Sequence, residues 1–506
     1  MTRPAIPHDR TQKTDAPATA NAANAKPIDA PVIFQNKYMA ENGRNNVHND
    51  SYMSDTYRVD GPHREDPIVR EAKLGGLCVT ITFDKLGRIN TLATSPSGRH
   101  LLCLVDPVTL SKLSRDFELP SEEGNVEWGG SGYFYLDAED HVVVPTITLQ
   151  IWVLEVRKIE FKNDGEEVDF EFKVIKSFDL ADALQAALNM RPHESLTELD
   201  NVLSVLPDCE GNLWFVTKKG VIGYIDKKTE AIFTHLLKNP DAEGEEDQLE
   251  GIGNSFVADE DGGVFIASNY ALYRFEAGSD GPQQFWREPY ARGVRPNPKP
   301  GQGNIGTGTT PTLTNVGDKK YVAIADNADP RMHVLVYRRE RESGGKRIVC
   351  KHAVFPRFKG CTENSLICVN KSIIVENNYG YRGPQSTAGP LTTETGVARI
   401  DFDEDGGQSV QVWINDQISV PSVVSKLSLT DGRIYTYTKK GLKENSAAAE
   451  LGWYLTALDF ETGAVVMDVP IRNSVELNNH YAGLHLGPGR RAYVGVMEGI
   501  VSVSDE

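Results

Sequence analysis

A unit of four short strands recurs along this chain. Its clearest copy is NVLSVLPDCEGNLWFVTKKGVIGYIDKKTEAIFTHLLKN (201–239), in which β-branched and aromatic runs alternate with turns rich in Asp, Gly and Lys. Such runs predict strands, and the turn residues between them predict tight hairpins. The same order recurs in 254–288 and in 422–469. The first turns of the successive units fall at Asp84, Asp137, Asp208, Asp259, Gly317, Asn370, Asp431 and Gly487.

Tandem four-stranded units of this kind predict a β-propeller. The last copy, AGLHLGPGRRAYVGVMEGIVSVSD (482–505), has only three strands, so its outer strand should come from the segment before Cys78. Closing the ring in this way removes the unpaired sheet edges that favour aggregation. We therefore predict an all-β, eight-bladed propeller of four-stranded antiparallel blades, closed by the N-terminal segment, with seven blades as the alternative.

The domain organisation that follows is a flexible leader (1–30), an N-terminal strap (31–77) and the propeller (78–506). The strap either covers the polar face of the channel or closes the ring. Helical periodicity is clearest in DLADALQAALNM (179–190).

Composition narrows the classes of partner. The formal net charge of −18 argues against nucleic acid and against anionic membrane. No stretch approaches the roughly 20 apolar residues of a membrane-spanning helix. The Ala- and Pro-rich leader has no apolar core of a signal peptide. We expect a soluble protein with a small-molecule substrate; the compartment (cytoplasmic, or mature secreted or periplasmic) and the oligomeric state stay open.

The segment LTALDFETGAVVMDVPI (455–471) resembles the blade repeat of quinoprotein-type propellers, in which an Asp…Thr-Gly turn joins strands three and four. The resemblance is good once and looser in CLVDPVTLSKLSRDF and GYIDKKTEAIFTHL. Met467 stands where such repeats often carry a tryptophan, and the adjacent cysteine pair of quinone-binding dehydrogenases is absent from the sequence. The resemblance therefore implies the fold but not quinone chemistry.

The two faces of the predicted ring differ in chemistry. Strand 1–2 turns such as DCEG and DEDGG form tight hairpins on one face, called here the hairpin face. The links between blades and the strand 2–3 loops are long and polar and lie on the opposite face, called here the loop face. Innermost strands begin at the loop face, so polar residues near their starts should ring the channel. Since function in rigid scaffolds concentrates on such loops, we place the site there.

Acidic, amide and aromatic side chains supply the candidate site. The predicted catalytic residues, which would transfer protons, are Glu363, Glu198 and His480. The predicted substrate-binding residues are His48, Glu376, Asn377, Tyr379 and Trp128. The predicted metal ligands are Glu127, Asn254, Asn364 and Asp326, because their oxygens suit Ca²⁺ or another divalent ion.

Each of these predictions has a structural alternative. Water alone could fill the channel. Asp326, in ADNADP, equally fits an Asx turn ending at Pro330. His48 lies in NNVHNDSYMSDTY (45–57), which either lines the site or closes the ring. Trp128 either stacks on a ligand or packs between blades, and the ENNYGY stretch (376–381) is either a ligand contact or a turn.

Three functions fit this pattern. The first is an enzyme acting on a small organic molecule at the channel mouth, either a divalent-metal-assisted hydrolase resembling lactonases and esterases or a lyase or isomerase. The second is a non-catalytic binding scaffold, and the third is a quinone-dependent oxidoreductase. GQGNIGTGTT (301–310) lacks the lysine of a P-loop, so we expect no nucleotide cofactor.

Overall fold

Eight four-stranded blades form an eight-bladed β-propeller, as the repeat predicts, and one of the eight sheets carries a fifth strand from the N-terminal segment. The computed structural model describes residues 25–120, 132–160, 168–189, 200–242, 248–293, 298–405, 407–441 and 451–506. None of the helices in these ranges is long and apolar enough to cross a membrane. The helix that the periodicity of residues 179–190 predicts is confirmed, since α1 spans Ala181–Ala187. Short 3-10 helices occupy Pro384–Thr387 and Val475–Leu477.

The strands follow one another blade by blade. Before the first blade come β1 (Thr56–Tyr57) and β2 (Ile68–Lys73). Blade 1 contains β3 (Leu77–Phe83), β4 (Ile89–Thr94), β5 (His100–Val105) and β6 (Phe117–Leu119). Blade 2 contains β7 (Tyr135–Leu136), β8 (Val142–Pro145), β9 (Gln150–Lys158) and β10 (Phe170–Asp179). Blade 3 contains β11 (Val202–Pro207), β12 (Leu213–Thr217), β13 (Val221–Ile225) and β14 (Ile232–Leu236). Blade 4 contains β15 (Val257–Ala258), β16 (Val264–Ala267), β17 (Ala271–Gly278) and β18 (Gly281–Pro289).

The second half of the ring continues the pattern. Blade 5 contains β19 (Thr312–Val316), β20 (Lys319–Ala325), β21 (Met332–Arg338) and β22 (Ile348–Val354). Blade 6 contains β23 (Ile367–Val369), β24 (Ser372–Glu376), β25 (Val397–Asp401) and β26 (Val410–Asn415). Blade 7 contains β27 (Lys426–Ser428), β28 (Arg433–Lys440), β29 (Gly452–Asp459) and β30 (Val465–Ile471). Blade 8 contains β31 (Leu484–Gly487), β32 (Arg491–Val496) and β33 (Gly499–Ser504).

The N-terminal segment closes the ring, as predicted. Strand β2 pairs antiparallel with β33 from Ile68 opposite Ser504 to Lys73 opposite Gly499. It thereby becomes the fourth strand of blade 8. The last blade would otherwise present an unpaired edge, and β2 covers it.

Aspartate side chains explain why the first turns recur. In the turn after β11, Asp208 Oδ1 accepts hydrogen bonds from the main-chain N–H groups of Gly211 at 2.8 Å and Asn212 at 2.9 Å. Its Oδ2 accepts from the indole of Trp214 at 2.9 Å. One carboxylate therefore satisfies the turn and orients a buried tryptophan, which a hydrophobic residue at this position could not do.

The Asp…Thr turn between strands three and four is also built on hydrogen bonds. Asp459 Oδ1 accepts from the N–H of Thr462 at 2.8 Å and from its hydroxyl at 2.7 Å. Asp226 and Thr229 repeat this pair in blade 3, and Asp106 and Thr109 repeat it in blade 1. The motif shared with quinoprotein-type repeats is thus a backbone-capping turn and needs no cofactor to account for it.

Residues 25–60 are called here the channel segment. Residues 25–35 of it are exposed or half-buried, whereas residues 39, 40 and 45–57 are buried within the ring. Their main chain pairs with innermost strands through the hydrogen bonds Ala40 N to Leu136 O, Leu313 N to Tyr52 O, Cys368 N to Ser54 O and Leu427 N to Asp55 O. Strand β1 also adds to blade 7, parallel to β27. The segment enters from the hairpin face, where Asn36 Nδ2 donates to Asp208 O at 3.2 Å. It therefore fills the channel from that side and does not cover the loop face from outside.

The first residues of the channel segment correct one expectation. The sequence predicts that residues 26–30 belong to a flexible leader, whereas Ile28 N donates to Leu429 O at 2.8 Å and Asn370 Nδ2 donates to Asp29 O at 2.9 Å. These residues pack against blades 6 and 7. Residues 1–24 lie outside the described residues.

A buried ion pair joins the channel segment to the ring. Asp55 and Lys426 are both fully buried, and Lys426 Nζ donates to Asp55 Oδ1 and, at 2.6 Å, to Val47 O. His48 Nδ1 lies 3.0 Å from the same Asp55 oxygen. Burial lowers the pKa of Lys426, while the Asp55 carboxylate opposes that change. Lys426, the first residue of β27, therefore binds two separate parts of the channel segment, at Val47 and at Asp55.

We expect Lys426→Met to lower the free energy of unfolding by about 3–5 kcal/mol, because it leaves Asp55 buried without its cation. Urea unfolding monitored by tryptophan fluorescence measures the change. The double variant Asp55→Asn/Lys426→Met should recover part of the loss. The matched control is Lys440→Met, which removes an exposed ion pair with Asp468 and should cost less than ~1 kcal/mol. Equal effects of Lys426→Met and Lys440→Met would contradict the assignment.

Candidate functional site

The loop-face end of the channel brings together side chains that precede innermost strands of different blades. Glu363 precedes β23, Tyr481 precedes β31 and Tyr133 precedes β7. Burial raises the pKa of both tyrosines, and the Glu363 carboxylate raises it further. The Tyr133 hydroxyl lies 3.4 Å from Asn254 Oδ1, and Asn254 Nδ2 donates to Thr307 O at 3.3 Å. Two residues predicted from sequence, Glu363 and Asn254, therefore lie in one polar cluster.

Glu363 is held from two sides. Its main-chain N–H donates to Asn378 Oδ1 at 2.8 Å, and its Oε1 accepts from Gly303 N. Part of the residue is exposed, but Oε2 is buried and has no hydrogen-bond partner in the described part of the chain. A Cβ atom at Gly308 would stand 1.8 Å from Oε2, so only glycine leaves room there.

This environment changes the acidity of Glu363. Burial raises its pKa from the ordinary value of 4.5 to about 8, and the hydrogen bond from Gly303 only partly opposes the rise. The carboxyl group is therefore protonated at neutral pH and can donate a proton. Raised carboxyl pKa values of this kind are typical of general acids.

His480 belongs to the same end of the channel. Its Nδ1 lies 2.9 Å from the Tyr381 hydroxyl, which donates its hydrogen to Asn478 Oδ1 at 2.7 Å. The hydroxyl has one hydrogen, so Nδ1 must be the donor to Tyr381 and the lone pair of the imidazole is on Nε2. Burial lowers the pKa of His480 to about 4, which keeps the ring neutral. We call Glu363, Tyr133, Tyr481, His480 and Asn254 the mouth site.

The backbone at His480 and Tyr481 is strained. Their φ angles are 43° and 65°, two successive non-glycine residues in the left-handed region. Asn478 Oδ1 accepts the N–H of His480 at 2.8 Å and so holds this conformation. Strained residues of this type are concentrated at functional sites, and the observation supports a role for this turn.

Two of the predicted metal ligands, Asn254 and Asn364, lie at the mouth site. Asn364 lies beside the mouth site, where its Nδ2 donates to Val423 O at 2.6 Å and its buried Oδ1 has no hydrogen-bond partner among the described residues. Asp326 does not reach the mouth site. Its oxygens accept from His333 N at 2.6 Å and lie 2.8 Å from His333 Nδ1. Its Oδ1 also accepts from Ala328 N at 3.2 Å, as the alternative of an Asx turn expects, and its role as a metal ligand stays a prediction.

His48 and Glu376 lie deeper in the channel than predicted. Both nitrogens of His48 have partners, with Nδ1 near Asp55 and Nε2 3.2 Å from the Thr310 hydroxyl. Glu376 accepts from Ser425 N and from the Ser425 hydroxyl, both at 3.2 Å. Both side chains thus have partners inside the protein, and their contact with a substrate stays a prediction.

Asn377 is a structural residue of its loop. Its Nδ2 donates to Lys359 O at 2.9 Å and Thr395 O at 3.2 Å, and its Oδ1 accepts from Cys361 N at 3.3 Å and Tyr379 N at 3.1 Å. The amide is saturated by main-chain groups and fully buried. It therefore joins three loop segments, and its contact with a substrate stays a prediction.

The remaining predicted residues stay untested by geometry. Tyr379 is half-buried in the turn that Asn377 organises, and its substrate contact stays a prediction. Glu127, Trp128 and Glu198 lie outside the described residues.

A cluster of side chains that could bind a metal ion occurs away from the mouth site. Within the described residues, the one group of three His, Cys, Asp or Glu side chains with ligand atoms within 4.8 Å of one another is Asp137, Glu139 and His141. It lies in a strand 1–2 turn on the hairpin face, where Asp137 Oδ1 accepts from Glu139 N and His141 N. These contacts describe a capped turn.

Sequence reasoning missed Tyr133, Tyr381 and Tyr481. Tyr133 and Tyr481 lie just before apolar strands, where tyrosine usually serves packing, and Tyr381 lies in the loop after β24. The signal that could have found Tyr481 is its place in NNHYAG, directly before an innermost strand.

Comparisons with known proteins support the fold. No family model matches the chain. An uncharacterized protein of Archaeoglobus fulgidus is 26% identical over 275 residues, which is 50% of this chain and 51% of that relative. The chain thus covers about half the length of this curated relative.

The chain is also similar to solved structures. The quinohemoprotein alcohol dehydrogenase from Comamonas testosteroni has a TM-score of 0.52 and 9% identity, covering 90% of this chain and 79% of that one. The β-propeller domain of Cps50 (Swd1) from Myceliophteria thermophila has a TM-score of 0.43 and 9% identity, covering 87% and 100%. At such identities the first similarity shows the fold alone, in agreement with the quinoprotein-type repeat.

The raised pKa of Glu363 predicts a pH-dependent stability. The folded state binds this proton more tightly than the unfolded chain, so the stabilisation is complete below pH 4.5 and lost as pH rises through about 8. Glu363→Gln mimics the protonated carboxyl. We expect its free energy of unfolding, relative to wild type, to increase from pH 5 to pH 9.

Urea unfolding at several pH values measures this difference. Glu394→Gln is the matched control, because Glu394 is an exposed loop-face carboxylate paired with Lys359. A Glu363→Gln difference that does not change with pH would contradict the buried, protonated carboxyl.

Proposed function

We propose that this protein is an enzyme that acts on a small organic molecule at the mouth site, with Glu363 as general acid and base. The observation that carries the proposal is the buried Glu363 carboxyl, whose Oε2 has no hydrogen-bond partner in the described residues and whose pKa is about 8. An unpartnered buried carboxyl is costly to stability. Proton transfer to a ligand is a function that explains its presence.

The neighbours of Glu363 suggest the type of chemistry. Tyr133 and Tyr481 offer hydroxyl donors whose raised pKa keeps them protonated, and His480 is neutral. Such donors stabilise negative charge that develops on an oxygen, as in an enolate or a tetrahedral intermediate. The reaction class that fits is proton transfer next to a carbonyl group, as in a lyase or isomerase, or the hydrolysis of an ester or lactone.

A divalent cation is a second element of the proposal. Glu363 Oε2 and Asn364 Oδ1 are buried oxygens without hydrogen-bond partners among the residues described, and carboxylate and amide oxygens suit Ca²⁺. These residues would hold the ion beside the Tyr133 and Asn254 pair. A bound cation supplies Lewis-acid polarisation of a carbonyl group, which is the metal-assisted form of the hydrolase.

Activity of Glu363→Gln tests the catalytic proposal. Wild-type protein would be screened against a panel of aryl esters and lactones, and against ketones by deuterium incorporation in D₂O followed by NMR. We expect Glu363→Gln to reduce kcat for the responsive class by about 10²–10⁴-fold. Glu394→Gln should retain wild-type rates. Undiminished turnover by Glu363→Gln would overturn the proposal, and ligand binding without turnover would favour a binding scaffold.

Calcium titration tests the cation separately. CaCl₂ should raise the Tm of the wild type, and raise it more at pH 9 than at pH 6, because binding requires Glu363 to lose its proton. The shift should be reduced in both Glu363→Gln and Asn364→Ala. No shift at millimolar calcium at either pH would exclude this ion from the mouth site.

A further inference from the structure

A carboxylate, an imidazole and two hydroxyl groups meet where the channel segment contacts blades 5 and 6. His48 Nδ1 lies 3.0 Å from Asp55 Oδ1 and 3.2 Å from Asp55 Oδ2. His48 Nε2 lies 3.2 Å from the Thr310 hydroxyl and 3.4 Å from the Ser365 hydroxyl. None of the four residues is more than 5% exposed. A carboxylate, an imidazole and a hydroxyl in this order form the arrangement of a catalytic triad.

The ion pair of Asp55 determines the tautomer of His48. Asp55 accepts from the Lys426 amine and is ionised in that pair, so it can only accept a hydrogen from the imidazole. In the neutral imidazole the proton is therefore on Nδ1, and the lone pair is on Nε2. That lone pair accepts a hydrogen from Ser365 or from Thr310. A hydroxyl bonded to a basic nitrogen in this way can lose its proton as it attacks a carbonyl carbon.

The turn that brings His48 to Asp55 has a strained backbone. Asn49, Met53 and Asp55 have φ angles of 60°, 53° and 58°, so three non-glycine residues lie in the left-handed region. Such conformations persist only where surrounding contacts hold them, and they are concentrated at functional sites. The Lys426 amine supplies one of these contacts, because it fixes the Asp55 carboxylate. The strain therefore supports a role for the contact between His48 and Asp55.

Ser365 is the hydroxyl that a small molecule can reach from the mouth site. It is 5% exposed, whereas Thr310 is 1% exposed and carries its hydroxyl on a branched carbon. Glu363 of the mouth site precedes Ser365 by two residues, which span at most about 7 Å of chain. Between them, the buried Oδ1 of Asn364 has no hydrogen-bond partner in the described ranges. Buried amide oxygens normally have a partner, so this part of the chain adjoins a place for water or a ligand.

We propose that Ser365 is a nucleophile that takes the acyl group of a small carboxylic ester, with His48 as its general base. Ser365 Oγ attacks the carbonyl carbon, and its proton moves to His48 Nε2. The ester C–O bond then breaks, and the leaving alcohol takes that proton. Water attacks the acyl-serine, its proton passes through His48 to Ser365 Oγ, and the acid is released. The slight exposure of Ser365 favours a short acyl group. Glu363 takes no part in these steps, so the nucleophile goes beyond the proposed function.

Modification by methanesulfonyl fluoride tests the nucleophile in the full-length protein. This small reagent forms a bond between its sulfur and a reactive serine oxygen as fluoride leaves, and peptide mass mapping locates the product. We expect Ser365 to be modified and Ser425 to stay unmodified. Ser425 is the matched control, because it also precedes an innermost strand and is 4% exposed. Its hydroxyl bonds Glu376 and Thr436 in place of a histidine.

The wild-type protein alone decides the proposal. An unmodified Ser365, a label on Thr310 in its place, or equal labelling of Ser365 and Ser425 would overturn it. Covalent modification is detected without turnover, so the result is separate from the kcat test of Glu363.

Variants separate a general base from a structural contact. His48→Asn keeps an N–H donor for Asp55 and removes the basic nitrogen, so we expect the rate of Ser365 modification to fall by about 10²–10⁴-fold. Thr310→Val removes the competing hydroxyl with little change of shape and should leave the label on Ser365. Ser365→Ala should remove the label. Modification of Ser365 at the wild-type rate in His48→Asn would contradict the assigned base.

Discussion

The interaction on which the architecture depends is the buried contact of Asp55 with Lys426 and His48. It places a carboxylate of the N-terminal segment against the first residue of an innermost strand. Two buried charges are expensive to desolvate, and their attraction offsets that cost only when the geometry is good. Strand β1 begins one residue after Asp55 and pairs with β27, which begins at Lys426. The ion pair and the parallel register of these two strands are therefore set together. From there the chain leads to β2 and to closure of the ring.

Much of the fold was predictable because its turns are chemically explicit. Asp208 and Asp459 cap their hairpins by accepting N–H groups, and aspartates recur at the first turns of most blades. The three-stranded last unit likewise implied that an outer strand had to come from elsewhere. The path of the channel segment was not predictable. Its polar residues, such as His48 and Asp50, resemble an exposed strap, and only the channel supplies the partners that allow their burial.

The residues of the candidate site also fall into those whose position the sequence predicts and those whose role it does not predict. Glu363, Asn254 and His480 could be placed because they precede innermost strands, and strand direction alone brings such positions to one end of the channel. Glu376 and Asn377 follow a second strand, and side-chain hydrogen bonding decides their role. The side-chain amide of Asn377 forms four hydrogen bonds with main-chain groups, which no sequence pattern reveals. The tyrosines were missed because an aromatic residue next to an apolar strand normally packs in the core.

Pairing of β2 with β33 has a consequence for the order in which the molecule can be assembled. Strand β2 finds its partner in β33, the last strand of the ring, and β1 finds its partner in β27. At a synthesis rate of ~5–20 residues per second, the N-terminal segment would be without these partners for on the order of 20 to 90 s. Its polar composition suits that interval, because His, Asn, Asp and Ser side chains remain hydrated while the ring is incomplete. The segment that finally occupies the centre of the protein is thus one that tolerates water until the blades have formed.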